Sequence, residues 1–170
     1  VYAEILTISA VRDGAGHAQN YVALFTDITA IKENEAQLAR MAHYDRLTGL
    51  PNRIVLADRL RQATAQTRRR ENLMALVYLD LDGFKNVNDT LGHQTGDEVL
   101  KTLGEILRQL TRQADFVFRW GGDEFLVLLS ANEADAKEKA RRIRQAFVES
   151  AIVSKLPDGV DVSVGVVPVP

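Results

Sequence analysis

The 170-residue sequence contains no cysteine, so a disulfide framework and a thiolate zinc site are both excluded. Histidine is also scarce: the three histidines lie far apart and lack the spacing of metal ligands. Any bound metal is therefore expected to be a hard cation held by oxygen atoms. The lack of cysteine is also typical of proteins in a reducing compartment, which favours a cytoplasmic location.

The sequence likewise lacks a long apolar run and a strong charge of either sign. No segment approaches the length of a membrane span, and no signal peptide opens the chain. The net charge of -2 provides no basic field for nucleic acid or for an anionic membrane. With 46% apolar and 26% charged residues, the composition is that of an ordinary soluble globular protein. We therefore expect no nucleic-acid partner and no membrane segment.

The beginning of the chain predicts a hairpin followed by a helix. Two β-rich runs, VYAEILTISAV and YVALFTDI, flank a DGAG turn. Two strands rarely bury enough surface to fold alone, so we interpret residues 1–28 as the C-terminal hairpin of another domain. Residues 29–44 predict a linker helix, in which apolar residues recur at spacings of three and four. This short seam fits packing on the next domain and a dimeric coiled coil about equally well.

The middle of the chain predicts alternating helices and strands. Asn52 is a suitable helix cap, and a helix is expected from about Arg53 to Arg69. The run LMALVYLDL is typical of a strand that is buried on both faces. A loop should follow this strand. The next helix should begin with a capping box formed by Thr95 and Glu98.

The last third of the chain predicts a hairpin, a helix and a strand. Two glycines between the apolar runs DFVFRW and FLVLL indicate a tight hairpin turn. A helix from about Asn132 to Ser150 follows, and its inner face should carry Ala136, Ala140, Ile143 and Phe147. A strand over VDVSVGVV comes after it. The order after Asn52 is therefore helix, strand, helix, strand, strand, helix, strand. This order predicts an α/β (α+β) layer that contains an antiparallel hairpin.

Two acidic pairs stand at the ends of predicted strands. Asp80 and Asp82 end the buried run, and Asp123 and Glu124 follow the glycine turn. A carboxylate at the end of a buried strand is costly unless it is paired or bound to a cation. If the strands are neighbours, Asp80 meets Asp123 or Glu124, and carboxylates that close favour a divalent metal between them. Spacing alone does not say which of the two is the ligand, and a solvated turn remains the alternative.

Two better-known sites are excluded by the residues around these acids. An EF-hand needs a third oxygen ligand where Phe84 stands, and its glycine would fall later than Gly83. A Walker A loop needs Lys-Ser or Lys-Thr after its second glycine, and the segment GHQTGDE lacks both. The acidic pairs therefore need a different explanation.

Four motifs in sequence order resemble the GGDEF family of diguanylate cyclases. They are DRLTGLPNR, LDLDGFKNVND, LGHQTGDEVL and RWGGDEF, and the match spans about Asp45 to Val167. The segment ending in FTDIT resembles the last strands of a PAS sensor domain, and the helix after it resembles the family's signalling linker. The resemblance implies a PAS-like end over residues 1–28, a signalling helix over 29–44 and a GGDEF domain over 45–170. The implied fold is similar to the palm of nucleotide cyclases, with a mixed, largely antiparallel sheet flanked by helices.

The resemblance also implies a reaction and its metal. Such enzymes condense two GTP molecules into cyclic di-GMP and release two pyrophosphates, with Mg²⁺ or, in its place, Mn²⁺. The implied catalytic residues are Asp80, Asp123 and Glu124. The same three residues and the Leu81 carbonyl are the implied metal ligands, with Glu124 as ligand or base. Because two GTP molecules must meet across two subunits, a homodimer is implied.

The implied substrate-binding residues lie in the glycine turn and after the first acidic pair. They are Gly121 and Gly122 beside the nucleotide, Phe84 and Lys85 at the phosphates, and Asn88 and Asp97 at the guanine, with His93 as a second-rank candidate. Simpler explanations stay open for the polar members. An aspartate suits a helix N-terminus, an asparagine can close an Asx turn, and a lone lysine is usually a surface residue.

A candidate inhibitory site precedes the glycine turn. Arg112-Gln113-Ala114-Asp115 stands where the family often carries an RxxD site that binds the product. An arginine can bind a guanine edge or a phosphate through two hydrogen bonds. Arg112 and Asp115 are therefore candidates for product inhibition. The alternative is an arginine that ends a helix and an aspartate that precedes a strand, with no ligand.

The family usually continues past SVGVV into a final helix that supplies a lysine and an arginine to the GTP phosphates, whereas this chain ends at Pro170. We therefore expect a C-terminally truncated domain that folds but turns over poorly. The leading hypothesis is a diguanylate cyclase domain under an N-terminal sensor. The alternative is a catalytically weak GGDEF domain that senses GTP or cyclic di-GMP, in a protein with a downstream EAL phosphodiesterase domain.

Overall fold

The computed structural model describes residues 3–70 and 73–169. The chain separates into two compact units, residues 1–42 and residues 43–170. None of the helices in the described ranges combines the length and the apolar character that a membrane crossing requires.

The first unit is an antiparallel hairpin followed by a helix. Strand β1 (Glu4–Arg12) pairs with strand β2 (Ala18–Asp27), and helix α1 covers Thr29–His43. Every residue of the two strands is exposed. The predicted hairpin and helix are confirmed, whereas their origin in a PAS-like domain stays a prediction.

The second unit is a four-stranded sheet with helices on both faces. Its strands are β3 (Met74–Asp82), β4 (Phe116–Gly121), β5 (Glu124–Leu129) and β6 (Asp161–Val169), in the spatial order β4-β5-β3-β6. Neighbouring strands of this sheet are antiparallel throughout the described residues. The helices are α2 (Arg53–Arg70), α3 (Phe84–Leu91), α4 (His93–Leu110) and α5 (Glu133–Val148), with a short 3-10 turn at Val153–Lys155. The expected α+β fold with a largely antiparallel sheet is confirmed.

Strand β3 lies between two cores because its side chains alternate between the faces of the sheet. One face is fully buried and joins the larger core with helices α4 and α5, which includes Leu103 and Phe147 at 0% exposure. The other face is only half-buried and packs on a smaller core with Leu56 of α2 and Phe118 of β4. The prediction of a strand buried on both faces is therefore correct for one face. The second face ends in Asp80 and Asp82, which belong to the site described below.

The segment after β3 differs from the prediction. Residues Phe84–Leu91 form helix α3, where a loop was expected. The capping box of Thr95 and Glu98 is also wrong: helix α4 begins at His93 without a side-chain cap, and the Thr95 hydroxyl donates to the Leu91 carbonyl at 3.0 Å. Helix α3 has only eight residues and one fully buried side chain, so its apolar period is too short to be distinguished from a loop in the sequence.

The predicted cap of α2 at Asn52 is confirmed, and Asn132 caps α5 in the same way. The Asn52 side chain accepts a hydrogen bond from the Ile54 N–H at 3.0 Å, and the Asn132 side chain accepts from the Asp135 N–H at 2.8 Å. Each bond satisfies a backbone donor that a helix end leaves unpaired. Helix α5 turns its predicted inner face to the core, with Ala136, Ala140, Ile143 and Phe147 buried.

Candidate active site

The turn between β4 and β5 places two carboxylates at one end of the sheet. Gly121 pairs with Glu124, so Gly122 and Asp123 form the tip of the turn. Gly122 has a φ of 52°, in the left-handed region that glycine adopts without steric cost. Glu124 therefore begins β5, and Asp123 precedes it in the turn.

Strand β3 brings a third carboxylate to the same end. Asp80 lies directly opposite Glu124 in the antiparallel pairing of β3 with β5. The Leu81 N–H points to the Asp123 carbonyl at 3.4 Å. Side chains opposite each other in such a pair have Cβ atoms about 4.5–5.5 Å apart. The strands are therefore neighbours, and the structure brings Asp80 together with the turn as the sequence argument required.

Tyr78 is a site residue that the sequence analysis missed. Its hydroxyl donates to Glu124 Oε1 and lies 3.3 Å from Asp80 Oδ2. The ring of Tyr78 packs on the smaller core, so the hydroxyl is held at the edge of the apolar region. The signal was present in the strand period, because residues two apart on a strand share a face.

The electrostatics of the cluster are those of like charges at close range. Burial and the charge of Asp123 raise the pKa of Asp80, and the charges of Glu124 and Asp82 act in the same direction. The hydrogen bond from Tyr78 opposes this rise in the pKa of Asp80. The bond to Glu124 and burial raise the pKa of Tyr78, so the phenol stays a proton donor. A divalent cation would relieve this repulsion.

The carboxylate oxygens at this end of the sheet suit a hard cation, although the side chains do not converge on a single point. Within the described residues, no group of three or more histidine, cysteine, aspartate or glutamate side chains is arranged to hold a metal. The carboxylate oxygens of Asp80, Asp123 and Glu124 are nevertheless ligands that suit a hard cation such as Mg²⁺, which would offset the repulsion that raises the pKa of Asp80. Asp82 is turned to a different neighbour, since it accepts a hydrogen bond from the Ser163 hydroxyl at 2.7 Å.

The predicted nucleotide-binding residues lie on the two helices that follow β3. Phe84 and Lys85 open α3, one residue after the acidic end of the strand. Asn88 lies in the same helix, half-buried, with its side chain against Gly96 of α4. The Asn88 side chain thereby lies against the residue that precedes Asp97 in the chain. His93 and Asp97 are exposed, and the roles of all five residues stay predictions.

The ion pair between Arg119 and Asp45 supports the glycine turn through the Gly122 carbonyl. The Arg119 guanidinium donates to Asp45 Oδ1 at 2.9 Å through Nη1, and to the Gly122 carbonyl at 3.1 Å through Nε and 2.6 Å through Nη2. The same Asp45 oxygen accepts from the Thr48 N–H at 2.8 Å and the Thr48 hydroxyl at 2.7 Å. Burial alone would raise the pKa of Asp45, but Thr48 and Arg119 outweigh it and lower that pKa. Both motifs were recognised in the sequence, but their contact was not foreseen.

A cavity of about 340 Å³ lies beside the RxxD segment. Asp115 orders the segment: Oδ2 accepts from the Arg112 N–H at 2.9 Å, and Oδ1 accepts from the Ser130 N–H at 3.3 Å. Lys139 and Arg142 of α5 add two cations to the lining. Sequence reasoning found Arg112 and Asp115 and missed the α5 residues, because only the fold brings that helix to the segment.

Comparison with known proteins assigns the second unit to a family. Residues 42–170 match the family described as "Diguanylate cyclase, GGDEF domain". The bifunctional diguanylate cyclase/cyclic di-GMP phosphodiesterase MucR of Pseudomonas aeruginosa is 38% identical over 139 residues, covering 81% of this chain and 20% of MucR. The diguanylate cyclase DgcP of the same organism is 48% identical over 104 residues, covering 61% of this chain and 16% of DgcP. This chain thus spans a fifth or less of the length of these two relatives.

Solved structures agree with this assignment. The coiled coil and GGDEF domain of DgcB from Caulobacter crescentus, solved in complex with c-di-GMP, superimposes with a TM-score of 0.70 at 30% identity. The match covers 83% of this chain and 76% of the DgcB chain. The fold, the ordered motifs and the carboxylates at the glycine turn all point the same way: the chain belongs to the GGDEF domain family of diguanylate cyclases.

Proposed function

We propose that this chain is a diguanylate cyclase domain that condenses two GTP molecules into cyclic di-GMP and two pyrophosphates. The observation that carries the proposal is the position of Asp80 directly opposite Glu124, with Asp123 close enough to raise the pKa of Asp80. Family membership supports the same activity, since relatives such as DgcP are named diguanylate cyclases. The catalytically weak GTP or cyclic di-GMP sensor is the alternative outcome of the test below.

The carboxylates are assigned to a divalent metal. Asp80, Asp123, Glu124 and the Leu81 carbonyl would hold Mg²⁺, with Mn²⁺ as a substitute. When bound, the ion supplies positive charge to the phosphates and lowers the cost of negative charge at the reacting phosphorus. The glycine turn leaves room for the triphosphate, because no side chain projects from Gly121 or Gly122.

The reaction assigned to the site is a phosphoryl transfer that occurs twice. The 3′-oxygen of one GTP forms a bond to the α-phosphorus of the other, the bond to the β-phosphate bridging oxygen breaks, and pyrophosphate leaves with both electrons of that bond. The hydroxyl proton is lost to a base, and this role is assigned to Glu124 as the alternative to its role as a metal ligand. Asn88 and Asp97 orient the guanine, and Phe84 and Lys85 contact the phosphates. Two such sites must face each other, so we assign the reaction to a homodimer.

Regulation by a sensor is a further part of the proposal. The hairpin of β1 and β2 is assigned to the end of a PAS-like domain and α1 to a signalling helix. The residues directly after α1 include Asp45, whose carboxylate binds the arginine that holds the Gly122 carbonyl. A displacement of this segment would therefore act on the turn that carries Asp123.

The proposal is tested by incubating the chain with GTP and Mg²⁺ and measuring cyclic di-GMP and pyrophosphate by chromatography. We expect one cyclic di-GMP for every two pyrophosphates, and no product without a divalent metal. Nucleotide binding without product would favour the sensor. Neither binding nor product would contradict both functions.

Tyr78→Phe should weaken metal binding while the fold persists. The change removes the hydroxyl that donates to Glu124 and lies near Asp80, but keeps the ring on the smaller core. A hydrogen bond to a charged group contributes about 1.5–3 kcal/mol, so we expect Mn²⁺ affinity to fall on the order of tenfold, measured by calorimetry. Tyr44→Phe, at an exposed tyrosine in the same unit, is the matched control. Unchanged Mn²⁺ affinity in Tyr78→Phe would show that the hydroxyl does not orient the Glu124 and Asp80 carboxylates for the metal.

We also propose that the cavity beside the RxxD segment binds cyclic di-GMP as an inhibitor. The cavity is lined by the cations Arg112, Lys139 and Arg142 and by the acids Asp115, Asp135 and Glu138, so that the cations can bind the phosphates and the carboxylates can accept hydrogen bonds from guanine N–H groups. The DgcB structure was solved with c-di-GMP, which shows that a member of this family binds that ligand. The cavity lies at the end of the β4–β5 hairpin that is opposite the glycine turn, where Asp115 precedes β4.

Arg112→Ala should lower the affinity for cyclic di-GMP by about a hundredfold, since two charge-assisted hydrogen bonds are lost. The initial rate of product formation should stay near that of the wild type, and inhibition by added product should disappear. Calorimetry and a progress curve measure the two effects. Arg61→Ala, at an exposed arginine of α2, serves as the control. Wild-type affinity in Arg112→Ala would remove this site from the proposal.

A further inference from the structure

We propose that Gly96 is a specificity-determining residue for guanine. The absence of a side chain at this position allows the Asn88 carboxamide to lie against helix α4 at the residue that precedes Asp97. This inference rests on the proposed function, because it assigns guanine recognition to Asn88 and Asp97. It adds a residue that contacts no nucleotide and acts only through Asn88.

The geometry shows how closely the two helices approach at this point. A methyl group at position 96 would stand 2.1 Å from Asn88 Oδ1 and 3.0 Å from Asn88 Cγ. Such distances are far below the sum of van der Waals radii, so the Asn88 side chain must leave its present position if residue 96 is larger than glycine. The Phe84 ring edge would also lie only 3.3 Å from this methyl group, so the space around it is restricted further.

A second glycine in the same helix shows that this contact is particular to position 96. A methyl group at Gly104 would meet Leu50 Cδ1 at 3.4 Å and Thr48 Cβ at 3.5 Å, which are ordinary or nearly ordinary contacts. Both glycines are buried in α4. The close neighbour of Gly96 is therefore a polar side chain, that of Asn88, whereas Gly104 packs on Leu50 and Thr48 at ordinary distances.

The Asn88 carboxamide is available to a ligand. No group in residues 3–70 and 73–169 forms a hydrogen bond with this side chain, although it is half-buried between α3 and α4. An amide carries two donors and one acceptor, which match the hydrogen-bonding edge of a purine. Gly96 leaves room for the present position of this carboxamide, and Asp97 follows Gly96 in the chain.

Gly96→Ala separates recognition from stability. Alanine is the better helix former by about 1 kcal/mol, and the atom that it displaces is the end of a flexible side chain. We therefore expect the thermal midpoint to stay within a few degrees of the wild type. Affinity for GTP should fall on the order of tenfold, with a matching rise in KM and a much smaller change in kcat.

The measurement is calorimetric titration of the whole chain with a non-hydrolysable GTP analogue and with the corresponding ATP analogue in Mg²⁺. The ratio of GTP to ATP affinity should decrease in Gly96→Ala and stay unchanged in Gly104→Ala, the matched control. In an Asn88→Ala background, Gly96→Ala should cause no further loss, because the group through which it acts is gone.

Three results would overturn the inference: wild-type GTP affinity in Gly96→Ala, an equal loss in Gly104→Ala, or a further tenfold loss in the Asn88→Ala background. The proposed function can fail separately. If the wild-type chain binds GTP but forms no cyclic di-GMP, the proposed cyclase activity is contradicted. The affinity measurements on Gly96→Ala still test the role of Gly96 in that case. A wild-type chain that does not bind GTP contradicts both.

Discussion

Asp80→Asn is expected to abolish cyclic di-GMP formation while leaving the fold no less stable than the wild type. The substitution keeps the size of the side chain and removes one of the negative charges that would hold the divalent metal. Metal charge contributes several kcal/mol to a phosphoryl transfer, so the rate should fall by about a thousandfold or more. Product formation at saturating GTP and Mg²⁺ measures the effect.

The expected stability of Asp80→Asn follows from the electrostatics of the cluster. Burial and the charge of Asp123 raise the pKa of Asp80, so the ionised carboxylate is disfavoured in the folded protein without metal. Replacing it with a neutral isostere removes that repulsion, and the thermal midpoint without metal should stay level or rise. Asp58→Asn, at an exposed aspartate of α2, should change neither activity nor stability. An active Asp80→Asn protein would show that Asp80 does not hold the metal.

Arg119→Ala is expected to have the largest effect on stability. The guanidinium is only 12% exposed and binds both the Asp45 carboxylate and the Gly122 carbonyl. Asp45 would lose its charged partner but keep its hydrogen bonds to Thr48, and its side chain is 24% exposed, so we expect a loss of about 2–3 kcal/mol. The turn also loses two hydrogen bonds, so we expect product formation to fall on the order of a hundredfold. Chemical denaturation and initial rates measure the two effects.

The effect of pH distinguishes this ion pair from simple loss of packing. Thr48 and Arg119 hold the pKa of Asp45 below its ordinary value of 3.8 against the opposing effect of burial. A carboxylate with a depressed folded pKa contributes stability above its unfolded pKa and loses it as the pH falls through the folded value. The difference in unfolding free energy between wild type and Arg119→Ala should therefore narrow below about pH 4.

Arg144→Ala provides the matched control for Arg119→Ala. Arg144 also binds an aspartate, Asp161, but its side chain is 57% exposed. Exposed ion pairs contribute about 0–1 kcal/mol, so this variant should lose little stability at any pH. Equal losses in the two variants would contradict the structural role assigned to Arg119.

The sequence was informative wherever a pattern was long or chemically specific. The inner face of α5 and the cap at Asn52 follow from local rules of helix formation and match the structure. The convergence of Asp80 with the glycine turn required the additional assumption that their strands are neighbours, which the register of β3 with β5 fulfils. That assumption came from the chemistry, since isolated acids at strand ends are costly.

Other parts of the site depend on contacts between distant segments. The strand period places Tyr78 on the same face as Asp80, but it gives no information on the contact of the Tyr78 hydroxyl with Glu124, which is 46 positions away. The contact of Arg119 with Asp45 joins residues 74 positions apart, and spacing gives no information on it. Helix α3 was taken for a loop because eight residues hold barely two turns. Each of these features appears only when the chain is folded.

The most direct measurement is anomalous scattering from Mn²⁺ in crystals of the chain grown with a non-hydrolysable GTP analogue. We expect a peak at about 2–2.5 Å from oxygens of Asp80 and of Asp123 or Glu124, against the triphosphate. A peak bound by other residues, or a triphosphate seated away from the Gly121–Glu124 turn with no metal at Asp80, would contradict the assignment of these carboxylates to the metal.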